Sequence, residues 1–340
     1  MKIEKTLFGT LPDGRGVDKY TLTNKAGASV SLLSYGGIVN SIIMPDRDGN
    51  LDEIACGFDD IDSYLKSAGY IGALIGRYCN RIGHAQFTLN GVTYKLFKNS
   101  CGEDCLHGGE HAFNSKIWDA ETFEDTDCAG VVFSIFSPDM EENFPGNLKV
   151  KVTYTFDEQS RLFLHYEAWT DRDTVLNMTN HAYFNLAGPA SGSVMDHYIR
   201  IDGDYYIPTD ERQIPVGDPV EVTGTIYDFR KEKKVEKPID HSFIRSDNTG
   251  FSECGKYSCR ENGRYIKVYT DLPCLHLYTG CVMDSPVPFR GGVEQIPLHA
   301  LCLETQFAPD SPNRPDFPST VITPKNNFDH MTLFEFGVED

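Results

Sequence analysis

Two residues far apart in the sequence have side chains that can exchange protons with a bound ligand. Glu304 follows the strongly apolar run 301–303, and a carboxylate at the mouth of a buried strand loses hydration unless donors or a partner compensate it. His181 lies among amides, hydroxyls and aromatic rings in residues 177–186. A carboxylate and an imidazole that meet in one polar, aromatic cleft form an acid/base pair. The predicted chemistry therefore depends on whether the fold brings His181 and Glu304 together.

Five further segments carry side chains that can hydrogen-bond to a polar ligand. Each is weak evidence alone, because arginines in an acidic protein usually pair with acids and a histidine in a turn often binds a backbone carbonyl. In a regular strand, Arg77 and Arg81 would project to one side and Asn80 to the other. The segments are residues 76–83 with Asn80 and Arg81, 106–109 with His107, 238–243 with Asp240, 275–280 with His276 and Tyr278, and 309–313 after Glu304.

The segment around His181 makes a second prediction about side-chain direction. If it forms a regular strand, Asn177, Thr179, His181 and Tyr183 share one face and form a polar stripe. A lone histidine is more often structural than catalytic, but four polar positions on one face favour a site.

Four potential zinc ligands lie within residues 101–111, namely Cys101, Cys105, His107 and His111. Their spacing is compact and is interrupted by two glycines, and it lacks the two separated ligand pairs of common zinc motifs. A polar loop with incidental thiols is favoured over a metal site. Nucleotide-binding and metalloprotease motifs are also missing from the sequence, so we expect neither a metal nor another cofactor.

Composition narrows the class of partner. The 340 residues are 40% hydrophobic and 24% charged, with a formal net charge of −19. This charge repels nucleic acids and anionic membranes and favours a neutral small-molecule ligand. The first residues contain no apolar signal core, no later stretch is long enough to span a bilayer, and the ten cysteines are scattered. We therefore expect a cytoplasmic protein with reduced thiols.

Alternation with a period of two residues dominates the chain and predicts antiparallel strands. Val150, Val152, Tyr154 and Phe156 share one face of a predicted strand over 149–156, which is followed by a second over 162–169. Asn-Gly pairs at 90–91 and 262–263 predict hairpin turns, whereas residues 59–66 could form one or two helical turns. The prediction is all-β: one large antiparallel β-sandwich, a single domain over residues 1–340 with few short helices.

Taken in order, these segments resemble the aldose 1-epimerase (galactose mutarotase) family over nearly the whole chain. The resemblance implies the family's large antiparallel β-sandwich, with His181 as general acid and Glu304 as general base. It also implies that Asn80, Arg81, His107 and Asp240 bind sugar hydroxyls. The stretches that carry it are 76–82, 106–109, 144–148, 179–186, 239–243, 277–280, 303–306 and 309–313.

The family commonly has glutamine where this chain has His276, so we expect His276 to bind substrate with an altered preference among hydroxyls. The implied reaction is interconversion of the α and β anomers of free aldohexoses such as galactose and glucose, by a monomer or weak homodimer.

Other functions remain open at this level. Asp240 and Glu304 could instead be the two carboxylates of a glycosidase. A sugar-binding module without activity is a second alternative. A sugar-phosphate epimerase is a third, disfavoured by the acidic charge and by the lack of an arginine cluster beyond Arg77 and Arg81.

Overall fold

The computed structural model of the protein describes residues 1–247 and 250–340, and most of its regular structure is antiparallel strand. The strands are β1 (Lys2–Thr10), β2 (Gly16–Thr23), β3 (Ser29–Leu33), β4 (Val39–Pro45), β5 (Leu51–Glu53), β6 (Leu74–Ile75), β7 (Arg81–Ile82), β8 (Gln86–Leu89), β9 (Val92–Lys95), β10 (Cys105–Leu106), β11 (Asp119–Glu124), β12 (Cys128–Ser137), β13 (Leu148–Asp157), β14 (Arg161–Thr170), β15 (Thr174–Val175), β16 (Thr179–Asn180), β17 (Tyr198–Ile201), β18 (Gly203–Tyr206), β19 (Val220–Glu221), β20 (Lys233–Lys234), β21 (Asp240–Arg245), β22 (Ser252–Ser258), β23 (Arg264–Thr270), β24 (Cys274–Tyr278), β25 (Cys302–Gln306), β26 (Val321–Ile322) and β27 (Phe328–Val338).

Three large sheets organise these strands. The first has the order β1-β2-β3-β4-β5, the second has nine strands in the order β11-β12-β13-β14-β27-β23-β22-β17-β20, and the third has the order β19-β18-β21-β24-β25. Short two-stranded pairs, among them β7 with β10 and β6 with β16, lie outside these three sheets. One apolar core contains side chains from all three sheets, such as Val30, Tyr154 and Leu275. The all-β antiparallel sandwich predicted from the sequence is confirmed.

Local predictions of the strands hold where the period-two pattern is long. The inward residues of β13, from Val150 to Phe156, are buried while the intervening ones are partly exposed. Asn90 and Gly91 both have positive φ, 51° and 79°, as a tight two-residue hairpin turn requires. They join β8 to β9.

The single α-helix of the described residues is α1 (Ile61–Lys66), which lies within the stretch predicted to be helical. Its N-cap is Asp60, whose side chain accepts from the Ser63 N–H at 2.8 Å. Seven short 3₁₀ turns cover Gly83–Ala85, Phe113–Ser115, Glu141–Asn143, Pro189–Ser191, Val194–Asp196, Arg290–Gly292 and Ser311–Asn313. Within the described part of the chain, no helix has the length and apolar character needed to cross a membrane.

The predicted polar stripe around His181 is wrong in part. Only Thr179 and Asn180 form a strand, β16, which pairs with β6. Asn177 is buried, and its side-chain oxygen accepts a hydrogen bond from the Phe307 N–H. It therefore binds a backbone group and does not line the cleft. A short strand that is buried on both sides does not keep the alternation of a half-exposed one.

Candidate active site

The floor of one polar cleft is the third sheet, where three strands bring their side chains into register. Glu304 of β25 lies opposite His276 of β24, which lies opposite Ser242 of β21. Cys302, Tyr278 and Asp240 form the next row on the same face, because residues two apart on a strand point to the same side. The prediction that His276 and Tyr278 face the same way is confirmed, since both line the cleft.

One wall comes from two short segments that are fixed to each other by backbone contacts. β7 pairs with β10, and just beyond this pair Asn80 and His107 meet. The His107 N–H donates to the Asn80 carbonyl at 3.0 Å, and the Asn80 N–H donates to His107 Nδ1 at 3.1 Å. Since Nδ1 accepts a hydrogen bond, a neutral His107 carries its proton on Nε2.

Both residues adopt left-handed backbone conformations, with φ of 60° for Asn80 and 53° for His107. Asparagine and histidine tolerate this region better than most residues. Buried carboxylates hold the segment that follows: Asp310 accepts from Gly83 N–H at 2.9 Å, and Asp104 accepts from His84 N–H at 2.7 Å. The role of residues 309–313 in the described structure is thus partly to anchor the wall that carries Asn80 and Arg81.

His181 is placed by backbone hydrogen bonds to the turn that precedes β6. Its N–H donates to the Ala73 carbonyl at 2.9 Å, and its own carbonyl accepts from the Gly72 N–H at 2.9 Å. The neighbouring Asn180 side chain donates to the Gly72 carbonyl as well. The imidazole therefore projects into the cleft from a backbone that is fixed on both sides, although the segment is not a regular strand beyond residue 180.

The fold brings the two predicted proton-transfer residues together. His181 Nε2 lies 3.7 Å from Glu304 Oε1, and the two residues are 5% and 2% exposed. A separation of 3.7 Å is longer than a hydrogen bond, so both groups keep hydrogen-bonding capacity for a third group. In the described residues, the buried Glu304 Oε2 has no hydrogen-bond partner. The pair is therefore arranged to receive polar atoms of a ligand.

The other edge of the His181 ring meets a buried thiol. Nδ1 lies 3.4 Å from Cys302 Sγ, within hydrogen-bonding range for sulfur. Burial, followed by the nearby Glu304 carboxylate, raises the pKa of the Cys302 thiol well above its usual value. Cys302 thus remains a thiol and not a thiolate.

Aromatic rings surround the imidazole. Tyr183 stacks on it with ring centroids 5.0 Å apart, while Tyr278 and His107 approach it edge-on at 6.3 Å and 5.3 Å. Tyr70 stacks from further away, at 6.2 Å. The sequence analysis missed Tyr70, which lies in a loop after α1 where no strand pattern signals it.

All seven residues predicted to form the site line one cleft of about 200 Å³. They are Asn80, Arg81, His107, His181, Asp240, His276 and Glu304. Arg77 does not join them, contrary to the expectation that it shares a side with Arg81. It is 2% exposed, and its guanidinium donates to the Pro145 and Gly146 carbonyls at 3.0 and 2.9 Å. Its role is to tie loops together.

Asp240 and His276 form a hydrogen-bonded pair in the cleft. His276 Nε2 lies 2.9 Å from Asp240 Oδ1, and His276 Nδ1 lies 2.9 Å from Ser242 Oγ. Burial opposes the ionisation of Asp240, but the hydrogen bond and charge of His276, helped by Arg81, hold the pKa of this carboxyl below its usual value. Asp240 is therefore an anion and a hydrogen-bond acceptor at neutral pH.

His107 differs in its electrostatics. Burial, and then the charge of His181, lower the pKa of His107 well below its usual value. His107 is thus neutral near pH 7 and presents a donor at Nε2, as its contact with Asn80 also indicates.

The residues weighed as zinc ligands do not gather around one point. Cys101 and His111 are exposed whereas Cys105 and His107 are buried. In the described ranges, one group of three potential ligands lies within 4.8 Å: His181, Cys302 and Glu304. The imidazole meets the thiol through Nδ1 and the carboxylate through Nε2, so its two nitrogens face different partners.

Comparison with known proteins decides the family. The family model described as aldose 1-epimerase matches residues 18–335. The chain belongs to the aldose 1-epimerase family. It is 36% identical to the galactose mutarotase of Bos taurus, with 99% of each chain covered, and 34% identical to the aldose 1-epimerase of Escherichia coli strain K12, with 96% of this chain and 97% of that protein covered.

Solved structures agree with this membership. An aldose epimerase homologue from C. elegans has a TM-score of 0.88 at 27% identity, covering 94% of this chain and 98% of its own. The galactose 1-epimerase of Lactobacillus acidophilus NCFM has a TM-score of 0.86 at 25% identity, covering 100% and 99%. As a member of this family, the protein is an enzyme that interconverts sugar anomers.

Proposed function

We propose that Glu304 and His181 carry out anomer interconversion as general base and general acid on free aldohexoses such as galactose and glucose. The observation that carries this assignment is the 3.7 Å approach of His181 Nε2 to Glu304 Oε1 at the floor of a polar cleft. The C1 hydroxyl and the ring oxygen of a pyranose are bonded to the same carbon, so a base and an acid must reach one small region from different directions.

Ring opening is the first half of the reaction. The Glu304 carboxylate takes the proton of the C1 hydroxyl while the His181 imidazolium gives its Nε2 proton to the ring oxygen. The bond between C1 and the ring oxygen breaks, and C1 becomes an aldehyde. Glu304 is then protonated and His181 neutral, so no net charge is created in the cleft.

Ring closure reverses both transfers after a rotation. Turning about the C1–C2 bond presents the other face of the aldehyde to the C5 hydroxyl. His181 takes the proton of that hydroxyl at Nε2 as the oxygen attacks C1, and Glu304 returns its proton to the aldehyde oxygen. Positioned proton transfer contributes about 10² to 10⁴-fold per group, which suits a reaction that already proceeds slowly in water.

The other cleft residues are proposed to hold the sugar hydroxyls. The Asp240 carboxylate offers acceptors, and the neutral His107 offers a donor at Nε2. Asn80, Arg81 and His276 supply further donors from the wall and the floor. A neutral sugar is held by many directional hydrogen bonds of this kind, and the net charge of −19 does not oppose its approach.

The electrostatics of Asp240 disfavour the glycosidase alternative. A glycosidase needs one of its two carboxyl groups to be protonated so that it can act as the acid. The lowered pKa of Asp240 makes it a poor proton donor. His181 is the group in the cleft that is suited to donate.

We further infer that residues 1–340 act as one catalytic domain, which the family match over residues 18–335 supports. The ten cysteines are free thiols, which supports the proposal of a cytoplasmic enzyme.

We propose a monomer or weak homodimer, because the seven proposed site residues all come from one chain.

Polarimetry on freshly dissolved α-D-galactose and α-D-glucose tests the proposed substrates. We expect the enzyme to accelerate the decay of optical rotation of at least one of them to its equilibrium value, without changing that value. Reducing ends released from an oligosaccharide, or tight sugar binding with an unaccelerated decay, would contradict the proposal.

A further inference from the structure

Strand β25 carries both Glu304 and a second residue that touches the acid of the proposed pair. Cys302 lies two positions before Glu304, on the same face of the third sheet, and its Sγ lies 3.4 Å from His181 Nδ1. It is fully buried. The reaction as outlined uses Nε2 of the imidazole and leaves the environment of Nδ1 without a role.

The proposed cycle places a requirement on Nδ1. When the imidazolium gives up its Nε2 proton, the neutral ring must keep the other proton on Nδ1, so that Nε2 can take a proton back during closure. A histidine keeps its proton on the nitrogen whose neighbour accepts a hydrogen bond. Sγ of a thiol is a weak acceptor, and it is the atom found at this edge of the ring.

We propose that Cys302 is the positioning residue of His181: its thiol accepts the Nδ1–H throughout the reaction, so that Nε2 alone exchanges protons with the sugar. This rests on the proposed roles of His181 and Glu304. No bond to sulfur forms or breaks, and the thiol neither gains nor loses a proton.

A neutral and weak acceptor suits this position better than a carboxylate. A second anion next to the ring, in addition to Glu304, would stabilise the imidazolium and make it a poorer acid. The thiol keeps the Nδ1–H bonded without adding charge, and high burial keeps it protonated. Strand β25 thus carries the proposed base, Glu304, and also holds the proposed acid, His181, through the contact with Cys302.

Variants at position 302 test the proposal through kcat and its pH dependence. We expect Cys302→Ala to lower kcat by about five- to tenfold, the equivalent of one ordinary hydrogen bond, with KM changed less than about twofold. Because the imidazolium loses an acceptor, it should release its proton more easily, and the alkaline limb of the kcat profile should move to lower pH. The serine hydroxyl of Cys302→Ser can also accept the Nδ1–H. This variant should recover most of the lost kcat, and its alkaline limb should lie at the same pH as in the unsubstituted enzyme.

The shift of the alkaline limb must be assigned to the ring that titrates. The titratable groups that face the His181 ring are Glu304, Cys302, Tyr278, Tyr70, His107 and Tyr183. The Cys302 variants leave the other five groups unchanged. A shift of the alkaline limb that occurs in Cys302→Ala and not in Cys302→Ser is therefore caused by loss of the contact with Nδ1.

Cys254→Ala is the matched control. Cys254 is also buried, and its Sγ donates to the Val268 carbonyl at 3.4 Å within the nine-stranded sheet, away from the residues that line the cleft. We expect it to lower thermal stability as much as Cys302→Ala does while leaving kcat and the alkaline limb in place.

Nitrogen-15 NMR of the imidazole gives a test that needs no change at position 302 and no turnover. The His181 signals are assigned by their loss in His181→Asn. In the unsubstituted enzyme we expect the neutral ring to carry its proton on Nδ1. A neutral ring protonated on Nε2 would overturn the proposal, even if Cys302→Ala failed to fold.

Two kinetic outcomes would also overturn it. One is a Cys302→Ala enzyme with unchanged kcat and an unmoved alkaline limb. The other is an equal loss of kcat in Cys302→Ala and Cys302→Ser with the alkaline limb unmoved, which would mean that the side chain of residue 302 only fills space. Polarimetry on the unsubstituted enzyme separately decides the proposed function, so the two failures are distinguishable.

Discussion

The floor and the wall of the cleft hold their polar side chains in different ways. On the floor, Asp240, His276 and Glu304 occupy regular strands, where cross-strand register sets their spacing. On the wall, Asn80 and His107 have positive φ and are fixed by two mutual hydrogen bonds, one between their backbones and one from the Asn80 N–H to the His107 ring. On the floor, strand pairing sets the distances between the polar side chains. On the wall, the positions of the side chains depend on left-handed backbone conformations at Asn80 and His107.

This difference predicts which property each kind of substitution should change. Side-chain changes on the floor should alter chemistry without altering the backbone, because the ladder of the third sheet persists. Backbone-incompatible changes on the wall should alter stability and binding together.

Removing the carboxylate of Glu304 is the strongest test of the floor. We expect Glu304→Gln to lower kcat by about 10²- to 10⁴-fold. Thermal stability should not fall, because Oε2 has no hydrogen-bond partner in the described structure and a neutral amide is easier to bury. Polarimetry and thermal unfolding monitored by circular dichroism measure the two effects.

Glu53 provides the matched control for this substitution. Its half-buried carboxylate accepts from the Ile42 N–H at 2.7 Å and pairs with Arg290 at 2.6 Å, outside the cleft. Glu53→Gln should leave kcat unchanged and lower stability. A Glu304→Gln enzyme with near-parental turnover would remove the assignment of the base.

His181 lies between the floor and the wall, since its ring contacts both Glu304 and His107. We expect His181→Asn to lower kcat by about 10²-fold, the lower end of the range for one group, because water in the cleft can still protonate the ring oxygen. The alkaline limb of the kcat profile should disappear with the imidazole. A pH series followed by polarimetry checks this, and full activity with an intact limb would exclude His181 as the acid.

Paired substitutions at Asn80 separate backbone strain from side-chain binding on the wall. Asn80→Gly and Asn80→Ala both remove the amide, so both should raise KM by about tenfold, the equivalent of one hydrogen bond. Because φ is 60°, alanine should also lower the free energy of unfolding by about 1 kcal/mol relative to glycine. Urea unfolding measures the second effect, and equal stability of the two variants would contradict the strain argument.

The smallest effect concerns the pH dependence of stability at Asp240. The folded-state pKa of this carboxyl is depressed, so its contribution to stability is present above its unfolded pKa of about 3.9 and is lost as pH falls through the lower folded value. His276→Gln removes the charge of the partner. We expect a loss of about 1 kcal/mol at pH 6, shrinking as the pH falls toward 3.

A double-mutant cycle with Asp240→Asn isolates the pair. Urea unfolding at several pH values should show a coupling between positions 240 and 276 at pH 6 that weakens as the pH falls through the lowered pKa of Asp240. A coupling that does not change with pH would contradict the ionised pair.

Sequence reasoning succeeded where the period-two pattern is long and failed where strands are short. The faces of β13 and of β24 follow from alternation, so the shared direction of His276 and Tyr278 was predictable. The stripe from Asn177 to Tyr183 was not, because pairing lasts for only two residues. Arg77 was misplaced for the same reason, since no strand continues from it to Arg81.

Some features of the site lie beyond any local pattern. The contact of Cys302 with His181 joins residues 121 positions apart, and Tyr70 enters the cleft from a loop. The resemblance to a known family supplied the set of seven site residues, whereas register and backbone hydrogen bonds supply the reason why they meet.

A crystal structure of Glu304→Gln soaked with α-D-galactose would show whether His181 and the residue 304 side chain both reach the reacting atoms of the sugar. We predict that the C1 hydroxyl oxygen lies within about 2.6–3.2 Å of the residue 304 side chain and the ring oxygen within the same distance of His181 Nε2. A sugar bound in the cleft with C1 turned away from both side chains would contradict the account.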